Sequence, residues 1–83
     1  MRMRIFTNEQ LNEDELDYSR WETINGDYIN ISMVGTTYLE RCLDLLAQFV
    51  EKYPKHRNIA IWLRYMNCLE DELLSRDGEL VGT

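Results

Sequence analysis

Two long stretches of this chain repeat apolar side chains every three or four residues. Two shorter ones alternate them every second residue. The first alternation runs from Arg2 to Phe6, with Met3 and Ile5 on one face and Arg2 and Arg4 on the other. It reads as a strand. Thr7 and Gln10 have the spacing of a capping box and predict a short helix through about Tyr18. Asn25-Gly26 lies between Arg20-Trp21-Glu22-Thr23-Ile24 and an alternating run from Tyr28 to Val34. Both turn residues tolerate positive φ, so a two-residue hairpin loop is predicted. That loop pairs Ile24 with Asp27 and Thr23 with Tyr28. It puts Ile24 on the face of Ile29, Ile31 and Met33, and Trp21 on the face of Tyr28.

Gly35 ends the hairpin, and Thr37 with Glu40 opens a helix. Its stripe is Leu39, Cys42, Leu43, Leu46, Phe49, Val50 and Tyr53, and Pro54 stops it. A second helix starts at Pro54 or Asn58, carries Ile59, Trp62, Leu63, Met66, Leu69 and Leu73, and ends at Asp77-Gly78. The expected fold is α+β, a small two- or three-stranded antiparallel sheet packed against an antiparallel helical hairpin. Residues 1–78 form one domain and 79–83 a tail. The expected core seam is Leu43, Leu46, Leu63, Met66 and Leu69 with Ile29 and Ile31.

A flanking row on the last helix, Ile61, Tyr65 and Cys68, widens its apolar surface past half the circumference. A two-layer domain of 83 residues has too little material to bury all of it. The surplus is expected on Ile61 and Tyr65, or on Trp21 and Tyr28 at the outer sheet face. These four are the candidate apolar partner-binding residues, and a two-fold homodimer is the expected assembly.

Charge adds a second candidate surface. The net charge is −6, and the segment from Glu9 to Asp27 holds seven acids against Arg20 alone. Glu13, Asp14 and Asp17 are the candidate residues for a basic protein partner; on a helix Glu13 and Asp17 would lie one turn apart, near the phosphate spacing of one nucleic-acid strand. Lys52, Lys55, His56, Arg57 and Arg64 cluster at the helical turn. With a pI of 4.6 the chain is repelled from nucleic acid, so direct nucleic-acid binding is not expected. That basic tip is available instead to meet the acidic block, within a molecule or between subunits.

Candidate chemistry is sparse. The glycines are scattered, and no His-x-x-x-His, Cys-x-x-Cys or Gly-x-Ser-x-Gly motif occurs. Along the helices His56 lies at least twelve residues from Cys42 and Cys68, too far for a nucleophile pair. No catalytic residue, cofactor or metal site is expected. Two cysteines fit buried thiols, and an antiparallel hairpin would bring them to one level, where a bridge is conceivable. No apolar run approaches membrane-span length. The opening residues lack a signal-peptide core, so a cytoplasmic location is expected. The function read here is a small acidic, non-enzymatic protein-interaction module that self-associates. The alternative is an acidic inhibitor, of the phage or plasmid counter-defence or immunity type, that blocks a basic nucleic-acid-binding site on its target.

Overall fold

The computed structural model describes residues 3–81, and side chains through residue 76. Its fold is α+β: strands β1 (Arg20–Glu22) and β2 (Tyr28–Asn30) form a two-stranded antiparallel sheet, followed by helices α1 (Thr36–Lys52) and α2 (Ile59–Val81), which pack together. Six residues join the two helices, a link short enough to fold them antiparallel. Single 3₁₀ turns occupy Arg4–Phe6, Glu13–Glu15 and Ile31–Met33.

The hairpin pairs Trp21 with Ile29 and Glu22 with Tyr28, one residue away from the expected register. Its loop has three residues, Ile24, Asn25 and Gly26. The Thr23 N–H donates to Asp27 O at 2.8 Å, and the Gly26 N–H to Thr23 O at 2.9 Å. Only Gly26 takes the left-handed conformation, at φ 90°. A two-residue turn would need positive φ at both central positions. Because side chains alternate, the one-residue slip exchanges the faces. Trp21 is buried at 2% exposure beside the half-buried Ile29, whereas Ile24 is 60% exposed and Tyr28 also faces solvent. The alternation in β2 stops at Asn30, whose side chain accepts from the Ser32 N–H and starts the 3₁₀ turn that leaves Met33 exposed.

No third strand forms among the described residues. Met3 sits at φ 60°, which breaks an extended run, and Arg4–Phe6 coils into a 3₁₀ turn; Arg2 lies outside the described residues. Met3 and Ile5 still enter the core, so the apolar pairing was correct and the strand was not. Thr7 opens no helix. Its Oγ1 donates to Arg4 O at 2.8 Å and accepts from the Glu9 N–H, a local turn that competes with capping. In place of the expected helix through Tyr18 there is only the 3₁₀ turn Glu13–Glu15, with Asn12 as its cap.

Helix α1 is capped at Gly35, two residues ahead of the expected Thr37, and has no side-chain cap. It ends where Tyr53 leaves the helical region ahead of Pro54. Helix α2 continues through Gly78 to Val81, past the expected stop; residues 82–83 lie outside the described residues. The core joins Leu39, Cys42 and Leu46 of α1 to Ile61, Trp62, Tyr65 and Leu69 of α2, with Met3, Ile5, Trp21 and Ile31 above them. Of the expected seam, Leu46, Leu69 and Ile31 are buried; Leu43, Met66 and Ile29 are half-buried; Leu63 is 46% exposed. The buried face of α2 is turned by roughly one residue step, ~100°, because the irregular segment 3–18 lies over its flanking row.

Candidate interaction surfaces

Asn58 fixes that segment to α2. It directly precedes the helix and is fully buried. Its Nδ2 donates to the carbonyls of Glu9 at 2.9 Å, Ile5 at 3.4 Å and Thr7 at 3.4 Å, and its Oδ1 accepts from the Leu11 N–H at 3.4 Å. The sequence marked Asn58 as a helix cap; the structure turns its amide away to hold a chain with no ladder of its own. The Trp62 Nε1–H adds a bond to Ile5 O at 2.7 Å, and the Tyr65 hydroxyl donates to Arg20 O at 2.6 Å. Burial raises the Tyr65 phenol well above its ordinary pKa, so it stays a donor. His56 accepts from the Asn58 N–H at Nδ1 and stacks on Trp62 at 4.6 Å between centroids, a structural placement.

These contacts correct the expected apolar docking residues. Trp21, Ile61 and Tyr65 are core side chains; Trp21 and Tyr65 meet edge to face at 5.2 Å. Only Tyr28 of the four is exposed. The surplus attributed to α2 is covered by Met3, Ile5 and Trp21 and by the irregular segment that carries Leu11, Leu16 and Tyr18.

The acidic block is partly engaged within the molecule. Arg64 reaches Asp14 at 3.3 Å and Glu13 at 3.6 Å, and its guanidinium lies 4.4 Å over the Tyr18 ring. Arg4 binds Glu9 at 2.7 Å and holds that carboxyl below its ordinary range. Asp17 is also lowered, first by the Ser19 hydroxyl and then by the Ser19 N–H, with a smaller contribution from Arg20. Leu16 is extended, so Glu13 and Asp17 are not one helical turn apart and the phosphate-like spacing is not built. Arg57 joins Gln10, Asn12, Glu13 and Asp14 around an open polar cleft of about 460 Å³.

The exposed apolar surface lies elsewhere. On α2, Leu63 is 46% and Leu74 is 66% exposed. They are eleven residues apart, close to three turns, so they share a face. Half-buried Ile59, Met66 and Leu73 border it, and across the hairpin α1 contributes half-buried Leu43 and Val50 with exposed Ala47. The segment 3–18 and the sheet cover the opposite side: Phe6 packs on Phe49 and Trp62, and Tyr18 on Tyr65. Winding in opposite senses along antiparallel helices, the two rows fall together on the uncovered back of the hairpin. Sequence reasoning assigned Leu63 to the core and passed over Ala47 and Leu74; the eleven-residue interval was the available signal. A second shallow cleft of about 210 Å³ lies between the loop residue Ile24 and Tyr38, Arg41 and Leu45 of α1.

Cys42 and Cys68 are free thiols. Burial pushes the Cys42 thiol up to about 11 and raises Cys68 as well, so neither carries the thiolate character of a nucleophile. They border different clefts, Cys42 beside Tyr38 and Cys68 beside Tyr18. Among the described residues no group of three His, Cys, Asp or Glu side chains could hold a metal ion, and no helix is long and apolar enough to cross a membrane. No family model matches the chain, and no curated protein or solved structure matches it either.

Proposed function

We propose that this chain is a small acidic protein-interaction module that works by binding protein surfaces, its own included, and catalyses no reaction. The observation that carries the reading is on the back of the helical hairpin, where Leu63 and Leu74 are exposed on one face of α2 with exposed Glu70 between them and half-buried Met66 and Leu73 beside them. Two leucines exposed on one face of α2 leave apolar area that a partner would remove from water. Sedimentation equilibrium over micromolar to submillimolar concentrations tests the self-association. A mass rising from one chain to two is expected, and a single-chain mass throughout would remove it.

A second reading, an acidic inhibitor of a protein with a basic nucleic-acid site, is favoured by Glu15 and Asp27. Both are exposed and form no ion pair among the described residues. A complex made this way weakens steeply with salt. Reversing Glu13, Asp14 and Asp17 while the far-ultraviolet circular dichroism stays native should abolish capture of such a partner. Unchanged capture and salt response would leave these acids as a solvated face.

A further inference from the structure

We propose that the flank of α1 carrying Tyr38, Arg41, Leu45, Gln48 and Lys52 is a docking strip for an acidic, leucine-bearing segment of a partner protein, with the hairpin-loop residue Ile24 as its outer wall. The inference rests on the protein-interaction reading above and adds a surface apart from the back of the hairpin, with the class of partner it takes. The five positions are spaced three, four, three and four residues apart, so they run as one strip along the helix. Tyr38, Arg41, Gln48 and Lys52 are exposed and Leu45 is half-buried. Beside Tyr38, Arg41 and Leu45 the three-residue loop leaves Ile24 60% exposed, and the space between them is the cleft of about 210 Å³. Met3, Trp21 and Cys42 are its buried lining. Pockets for small molecules run to about 300–1,000 Å³, so this cleft suits a single apolar side chain.

Charge selects the partner. Among the described residues Arg41 is the one charged side chain lining the cleft. Neither Arg41 nor Lys52 forms an ion pair among the described residues, although the chain carries fifteen acids. Lys52 approaches only the Tyr53 ring, at 5.5 Å from its centroid. The charges of α1 are segregated. At about 100° per residue, Glu40, Asp44 and Glu51 fall on the adjoining strip, and Asp44, near one turn beyond Arg41, does not pair with it. Arg41 and Lys52 are eleven residues apart, about 16 Å of helix at 1.5 Å per residue. An apolar side chain seated in the cleft therefore sets a neighbouring carboxylate at Arg41, and a second carboxylate farther along the segment meets Lys52. A basic or neutral segment makes neither contact. The net charge of −6 opposes an acidic partner at long range, so the contact depends on these short-range pairs and its affinity is modest.

The test uses a capped peptide of glutamate and alanine with one central leucine, about twelve residues long so that as a helix it spans those 16 Å. It is titrated into isotope-labelled protein, and backbone amide chemical shifts are followed. Shifts should concentrate at Ile24, Tyr38, Arg41, Leu45 and Lys52 and saturate at submillimolar to millimolar peptide. The same peptide with lysine for glutamate, or alanine for leucine, should leave those amides in place. Arg41→Glu should weaken binding about tenfold, and Ile24→Ser several-fold. Both residues are exposed, so circular dichroism should remain native. If helicity falls, Lys52→Glu reads the same strip from the last turn of α1 and should weaken binding several-fold. No shifts at all, shifts at Leu63 and Leu74 with none on the strip, or equal binding by the charge-reversed proteins would overturn the docking strip. Sedimentation equilibrium keeps this apart from self-association: a monomer that binds the peptide on the strip removes only the dimer, and a dimer that does not bind it removes only the strip.

Discussion

The Nδ2 of Asn58 lies 2.9 Å from the carbonyl oxygen of Glu9, forty-nine positions away in the chain, and this bond ties the irregular N-terminal segment to the start of α2. The same amide reaches Ile5, Thr7 and Leu11, so one side chain satisfies the backbone of a segment that has neither ladder nor helix. Asn58→Ala should destabilise the fold by about 1–3 kcal/mol, the cost of leaving buried carbonyls without a donor. Asn58→Asp should cost more, since a carboxylate offers those carbonyls no donor and brings a charge into a dry site. Urea melts measure both. A loss below about 0.5 kcal/mol for Asn58→Ala would mean the segment is held by its apolar residues alone.

The helices were legible because their apolar residues are periodic. Leu39, Cys42 and Leu46 repeat on α1, and Pro54 stops it. What covers them was not legible in the same way. Met3 and Ile5 alternate as a strand would yet enter the core from a turn, and Leu11 and Leu16 pack against it from an irregular segment with no period to detect. Asn58 looked like a cap because capping and long-range bridging use the same amide. The core status of Trp21 turned on a single residue of register, which Asn25-Gly26 leaves open between two-residue and three-residue loops. The acidic residues were correctly placed outside, but their partners were not: Arg64 lies about fifty positions from Glu13 and Asp14 and meets them only after folding.

The hairpin register depends on Gly26 at φ 90°. A residue with a Cβ is strained there, so Gly26→Ala should cost about 1–2 kcal/mol. Gly26→Asn should cost less, because asparagine tolerates the left-handed region better. Thermal melts of the two variants give the order. An alanine variant as stable as the asparagine one would show that the loop had moved to another geometry.

Leu46 and Leu63 both belong to the leucine pattern of the helices, yet one is fully buried and the other 46% exposed. Leu46→Ala should cost roughly 2–5 kcal/mol through lost contacts and the cavity left behind. Leu63→Ala should stay within about 0.5 kcal/mol when measured at concentrations where single chains dominate. Equal losses at the two sites would place the α2 seam where the sequence pattern alone puts it.

Acid should unfold the protein earlier than its apolar core alone would require. Arg4 lowers Glu9 from an ordinary value of 4.5, and hydrogen bonds from Ser19 lower Asp17 from 3.8. A carboxyl with a lower pKa when folded binds protons more readily when unfolded. Its stabilising contribution is therefore complete above the ordinary value and disappears as pH falls through the lowered one. Both groups are solvent-exposed, so each contribution is small and screened by salt. Urea midpoints followed from neutral pH to below 3.8 should fall in that window. Glu9→Gln should begin slightly less stable at neutral pH and approach the wild type in acid, because both then lack the charged Arg4 partner. Parallel curves that never converge would mean the Arg4–Glu9 pair, at 2.7 Å, contributes nothing to the pH dependence.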